Sequence, residues 1–250
     1  MSIIGARSEL GRLLSQRRAP GKVHVNIAGQ HANTLLHDGH AWKGFARAAL
    51  AGVRQALRTD ARMLVHASFA FVLGRPREDP LRSIAETILE CERLVLAGPI
   101  PACVVRLGYL YGPESADLRA YRKAFRLGRP YWAGPGEALQ YHLHQYDALS
   151  ALLAAGKRRN AGRILYATGG KPVSFMRLMD DFARRIGNPI PLHVPRIATP
   201  VIRLIVRGEH MQQAALAMPA RAPAPRVPGW KPVFSDYREG LDQVIEAWGG

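Results

Sequence analysis

The sequence predicts an α/β fold: a mostly parallel sheet flanked by helices, with a small C-terminal lobe. Three observations predict it. Between residues 22 and 110, strand-like runs alternate with helix-like ones, the order that builds parallel sheets through helical crossovers. A further strand-like run, Arg163 to Gly170, is followed by a well-marked helix from Ser174 to Gly187. The chain has 250 residues, 48% of them hydrophobic, enough for one good core and a smaller lobe.

The elements follow in order. Met1-Ser2-Ile3-Ile4 is strand-like and runs into Gly5-Ala6-Arg7-Ser8-Glu9-Leu10-Gly11. A second strand begins at Lys22 and ends at Asn26-Ile27-Ala28-Gly29. Ala48 to Leu57 reads as a helix, and Met63 to Val72 as the next strand. Ile84, Ile88, Cys91 and Val95 recur at helical spacing and mark a buried stripe. Ala102 to Leu110 is a strand that continues as Tyr111-Gly112-Pro113. In the helix from 174, Ser174 caps the start, Phe175, Leu178, Met179, Phe182 and Ile186 share one face, and Gly187 ends it. Five prolines between 219 and 232 predict an extended segment there.

Composition excludes several classes. Cys91 and Cys103 sit in a helix and a strand with no partner at metal-ligand spacing, so they read as buried free thiols. His24, His31, His37 and His40 lack fixed spacing and nearby acids, and no metal site is expected. No run of about 18 apolar residues exists, so no membrane-spanning helix is expected. The formal net charge is +16, which suits anionic partners: an acidic protein surface, an anionic lipid layer or phosphorylated substrates. The arginines are spread along the chain without interleaved aromatics, which argues against a specific nucleic-acid module. A solvated basic surface accounts for the charge equally well.

The ordered motifs resemble those of the extended short-chain dehydrogenase/reductases, the NAD-dependent epimerase/dehydratase family. The resemblance rests on the degenerate glycine turn at 5–11, the strand ending at Ala28-Gly29, Glu92 in its helix, and Arg106 to Pro113. It continues with His144-Gln145-Tyr146-Asp147, the strand from 163, and Gly229-Trp230-Lys231-Pro232 followed by Glu239-Gly240-Leu241. It implies a Rossmann-like core over residues 1–168, and a lobe and tail over 169–250 to which 113–145 contribute. It also implies that Gly5, Gly11, Ala28, Gly29 and Tyr111 face a dinucleotide, and that His144, Asp147 and Arg221 belong to the substrate lobe.

Two departures from the family pattern carry most of the functional expectation. Anchored on Glu92, the family's catalytic Lys falls on Ile88 and its Tyr on Ile84; anchored on Gly74, the catalytic Ser/Thr falls on Phe69. In the family the Tyr passes a proton to a carbinol oxygen and the Lys cation lowers its pKa, which Ile cannot do. Phe69, Ile84 and Ile88 are expected to face one another and fill the former active site. The second departure is the eleven-residue interval between Gly11 and Lys22, too short for the two strands the family places there. One of these usually reads the ribose. Ser8 stands where the middle glycine would be, and its side chain should narrow the approach of a pyrophosphate. Right-handed crossover would then require the first helix on the sheet face opposite to the usual one, so residues 9–18 are not expected to dock as a phosphate-binding helix. A poorly packed tail over residues 1–21 remains an equal alternative.

These losses predict a non-catalytic family member, with no cofactor and no catalytic residue, serving as an accessory subunit in a larger complex. It would be cytoplasmic, with a peripheral place on a membrane-bound complex as the alternative. The alternative is an active NAD- or NADP-dependent epimerase, dehydratase or related oxidoreductase.

Overall fold

The computed structural model describes residues 2–16, 23–27, 41–77, 81–128, 139–190 and 223–249, with backbone alone at 41–45 and 81. In chain order the elements are β1 (Ser2–Ile4), α1 (Glu9–Ser15), β2 (Val23–Asn26), α2 (Ala41–Ala56), β3 (Met63–Phe69), α3 (Leu81–Leu96), β4 (Ala102–Leu107) and β5 (Tyr109–Tyr111). They continue with α4 (Ala116–Arg126), β6 (Leu139–Gln140), β7 (His142–His144), α5 (Gln145–Ala155), β8 (Ile164–Ala167), β9 (Val173–Ser174), α6 (Phe175–Arg185) and α7 (Tyr237–Ala247).

The central sheet has five parallel strands in the order β1-β2-β3-β4-β8. Ile4, Asn26, His66, Val104 and Ile164 lie in one row across it. This is a Rossmann-like sheet that ends at β1: among the described residues no strand lies beyond that edge.

Strand alternation sends side chains to two opposite cores. On one face Ile4, Leu64 and Val104 pack with Val53 of α2 and with Ile84, Ile88 and Val95 of α3. Positions 84, 88, 91 and 95 form the predicted stripe, and all four are buried. On the other face Val25, Val65, Cys103 and Val105 pack with Leu149 and Leu152 of α5 and with Leu10 and Leu14 of α1. Both cysteines are buried free thiols.

The position of α1 corrects the expectation for residues 9–18. The helix docks beside α5, on the face opposite to α2 and α3. The β1-α1-β2 connection therefore crosses in the opposite hand to β2-α2-β3 and β3-α3-β4. Burial decides this. A seven-residue helix cannot sustain itself in water. It is held by Leu10 and Leu14, 2% and 0% exposed, each worth about 1.5–3 kcal/mol when buried. The other face is closed to it, because Ile4 is already covered by the core that α2 and α3 share. Residues 2–16 are accordingly not a poorly packed tail.

A third cluster joins Tyr109 and Tyr111 of β5, Phe125 of α4, Phe182 of α6 and Leu241 of α7. Helix α6 runs as the sequence predicts. Ser174 Oγ accepts from Arg177 N at 3.2 Å. Gly187 follows the helix with φ 71, in the left-handed region. The two-stranded pair β5-β7 is parallel, and β6-β9 is antiparallel.

Candidate functional site

The glycine turn stands at the C-terminal end of β1. Gly5 has φ 88, a conformation open to glycine and costly for other residues. A Cβ on Gly11 would lie 2.3 Å from Gly5 O, so the helix start and the strand end touch backbone to backbone. The structure thus brings Gly5 and Gly11 together. Ser8 does not intrude on the turn as its side chain suggested. It is 1% exposed, and its Oγ accepts from Gly11 N at 2.9 Å as the cap of α1. The N–H groups of Glu9 and Leu10, in the first turn, have no carbonyl partner within the helix.

Glu9 connects this turn to two other helix starts. Its Oε1 accepts from Ala116 N at 3.0 Å and its Oε2 from Gln145 Nε2 at 3.3 Å. Burial pushes its carboxyl above the usual range, Ala116 N–H and Arg12 oppose that, and Asp117 and Glu114 reinforce it.

The three positions implied for acid–base chemistry all enter one apolar cluster. Phe69, Ile84 and Ile88 are 9%, 2% and 3% exposed. The cavity lined by Phe69, Ile88, Ser68, His66 and Cys91 holds only about 10 Å³, room for one water at most. Beside it lies a buried polar network that the sequence reading did not identify. Arg106 Nε and Nη2 donate to Glu92 Oε1 and Oε2 at 2.9 and 2.6 Å, and Arg106 Nη1 donates to Tyr166 Oη at 3.0 Å. Ser68 Oγ donates to Glu92 Oε1. One strand further out, Asn26 Nδ2 lies 3.2 Å from His66 Nδ1, and burial holds the His66 imidazole down at about 4. The available signal was the alternation of β3, where polar His66 and Ser68 fall on the same face as Leu64.

The remaining implied residues have other partners. Tyr111 is buried in the third cluster, with its hydroxyl 3.4 Å from Tyr237 O. A Cβ on Gly240 would clash with that hydroxyl, so Tyr111 packs directly on the α7 backbone. His144 caps α5 by accepting from Tyr146 N, and its Nε2 faces Gln243 Oε1 at 3.1 Å. Asp147 accepts from Val233 N at 2.7 Å and from Phe234 N at 2.9 Å. Trp230 Nε1 donates to Ser150 Oγ at 2.8 Å. Asp147 and Ser150 thereby anchor the Gly229–Phe234 segment to α5, while His144 ties the start of α5 to α7. Ala28, Gly29 and Arg221, with His31, His37 and His40, lie outside the described residues. Among the described residues no cluster of His, Cys, Asp or Glu could hold a metal, and no helix is long and apolar enough to cross a membrane.

The turn fits the pyrophosphate of a dinucleotide in its backbone: a left-handed glycine, close strand–helix packing and helix-start N–H groups. The ribose-reading strands of the adenosine half are absent among the described residues.

No family model matches the chain. A 3-diazoavenalumate denitrifying reductase of a Streptomyces species is 30% identical over 206 residues, 76% of this chain and 67% of that protein. A 4-hydroxy-2-methyl-3-oxo-4-farnesyl-3,4-dihydroquinoline-1-oxide ketoreductase of Stigmatella aurantiaca is 30% identical over 223 residues, 79% of this chain and 64% of that protein. The chain spans less than two thirds of the ketoreductase's length. Among solved structures, a human epimerase-family protein with NADPH matches with a TM-score of 0.73 at 15% identity, covering 98% of this chain and 99% of that one. RMD from Pseudomonas aeruginosa with NADPH gives 0.69 at 16%, covering 98% and 97%. A dTDP-glucose 4,6-dehydratase from Bacillus anthracis with NAD gives 0.65 at 15%, covering 98% and 77%. These structural likenesses concern the fold; together with the reductase sequences, they place the chain in the short-chain dehydrogenase/reductase family, of the extended, epimerase/dehydratase type.

Proposed function

We propose that the chain is an NAD(P)-dependent reductase that delivers hydride to an electron-poor acceptor without a proton-donating Tyr–Lys pair. One observation carries the reading: Phe69, Ile84 and Ile88, at the positions the resemblance implies for acid–base chemistry, lie in one apolar cluster, while the glycine turn keeps its backbone form. The two similar sequences, named as reductases, support an enzyme better than an accessory subunit.

The dinucleotide, when bound, supplies the hydride. Gly5, Gly11 and the N–H groups of Glu9 and Leu10 would hold its pyrophosphate. Phe69, Ile84 and Ile88 exclude water from the neighbouring core. Ser68 is engaged by Glu92 and His66 is kept neutral, so neither replaces the missing acid. The acceptor must then be activated by its own electronics and take its proton from solvent.

The test is hydride consumption from NADH and NADPH with a para-quinone acceptor, beside a plain cyclic ketone. Reduction of the quinone and none of the ketone is the expected result. Reduction of the ketone would show a proton donor in the chain and overturn the reading. A second reading, an accessory subunit meeting an acidic partner, is favoured by the missing ribose-reading strands. It takes first place if neither dinucleotide raises the melting temperature, since a ligand at a hundred times its Kd should add about 2.7 kcal/mol.

A further inference from the structure

A cavity of about 520 Å³ opens on the C-terminal lobe, between the turn that enters β9, the first turns of α6 and the entry to α7. Its size falls within the range of small-molecule sites, roughly 300–1,000 Å³. Two chain segments about sixty residues apart build it. Gly170 N donates to Ser235 O at 3.0 Å, and a Cβ on Gly170 would lie 2.4 Å from that oxygen. Only a glycine lets the two backbones meet there.

The charges around the cavity do not balance. Asp236 is the one acid lining it among the described residues, and that carboxylate is committed. Its Oδ1 accepts from Arg238 N at 2.9 Å as the cap of α7, and its Oδ2 takes Arg238 Nη1 at 3.3 Å. Arg238 also reaches Asp181 Oδ2 at 3.4 Å, the same oxygen that accepts from Tyr237 Oη at 2.6 Å. Lys171 and Arg177 line the same cavity and form no ion pair among the described residues. Two cations therefore face the space without an anion. Pro172 and Val173 give it an apolar wall. Tyr237 has already given its hydroxyl to Asp181, and the Arg238 guanidinium lies 5.1 Å over its ring, so what it offers a ligand is the part of the ring that lines the cavity.

We propose that this cavity binds a small aromatic carboxylate, with the carboxylate held between Lys171 and Arg177 and the ring laid against Tyr237, Pro172 and Val173. A guanidinium matches a carboxylate in a two-bond fork, and an ammonium beside it adds a point charge. The site is independent of the glycine turn, so it stands or falls without the dinucleotide.

Calorimetry on the full chain with 4-hydroxybenzoate tests this, beside 4-hydroxybenzyl alcohol and inorganic phosphate. The acid should bind, and both the neutral alcohol and phosphate should bind more weakly. Arg177→Ala and Lys171→Ala should each weaken the acid about tenfold or more, the loss of one charge-assisted contact. Both side chains are exposed, so the variants should keep the parent's melting temperature. Equal affinity for acid and alcohol would overturn the role of the charge. Equal affinity for acid and phosphate would overturn the role of the ring. Unchanged affinity in both variants would overturn the site.

Discussion

Glu92 of α3 and Arg106 of β4 meet as a two-bond fork inside the core, with side chains only 3% and 10% exposed. Arg106 Nε and Nη2 donate to the two carboxylate oxygens, and Ser68 and Tyr166 complete the network. The fork fixes how α3 is rotated against β3 and β4. Four and eight residues before Glu92, Ile88 and Ile84 are thereby turned to the same side of the helix. The anchor thus holds Ile84 and Ile88 facing the apolar core.

Removing one partner of this pair should be far worse than removing both. Glu92→Leu leaves a guanidinium buried without its anion, at a cost of about 3–5 kcal/mol. Adding Arg106→Leu should recover a large part of that loss, since no unpaired charge then remains. Urea unfolding of the two single variants and the double variant measures the coupling. Additive losses would show that the fork does not hold the core.

Returning the family's polar groups to Phe69, Ile84 and Ile88 should destabilise the fold. The adjacent cavity of about 10 Å³ cannot hydrate an ammonium. Ile88→Lys should therefore cost several kcal/mol, through a buried charge or the neutralisation that avoids it. Ile88→Met keeps the volume and should cost less than about 1.5 kcal/mol. Thermal melts of the two variants should differ clearly; similar melts would place position 88 at the surface.

Much of this molecule is legible in its sequence, and the exceptions have physical reasons. The parallel sheet follows from alternating segments, and the shortened edge from counting residues between Gly11 and Lys22. The docking of α1 does not follow, because a rule about crossover hand competes with burial of Leu10 and Leu14, and burial prevails. Ser8 is an N-cap serine three residues before Gly11, and the same position is the middle glycine of the family turn, so one residue type fits two local roles and only the fold decides between them. His144 and Asp147 meet partners 86 to 99 residues away, so local spacing could not reveal that they anchor the C-terminal segment. The lobe cavity is equally non-local, since each of its two walls alone reads as a turn.

Three buried histidines should make the fold sensitive to mild acid. Burial lowers His66 and His144 to about 4 and His142 to about 3, against 6.5 in the open chain. All three are neutral in the native protein at pH 7. As pH falls below 6.5, the unfolded chain takes up protons that the native chain refuses, so stability drops until about pH 4. The slope can reach about 1.4 kcal/mol per pH unit for each histidine. Glu9 and Asp147, whose carboxyls burial raises, act in the opposite sense where they titrate. Unfolding by urea at pH 7 and pH 5 should show the loss. His144→Asn keeps an oxygen for the α5 cap and should reduce the slope by about one histidine's share.

Glu9 should control how well a dinucleotide binds. Its carboxylate stands in the first turn of α1, beside the N–H groups that would receive a pyrophosphate, and is tied instead to Ala116 N and Gln145 Nε2. A negative charge there opposes an incoming phosphate, with a Coulomb term of about 4 kcal/mol at 4 Å near a protein surface and less at greater separation. Burial raises the Glu9 carboxyl, so acid should relieve part of the repulsion. Glu9→Gln retains an oxygen to accept from Ala116 N and removes the charge at every pH. The variant should bind NADPH about tenfold more tightly than the parent, a gain of about 1.4 kcal/mol. The difference should shrink at lower pH, as the parent's own carboxyl becomes protonated, and at higher salt. Calorimetry at two pH values and two salt concentrations measures all three trends. An unchanged Kd in Glu9→Gln would mean that the pyrophosphate does not reach this turn.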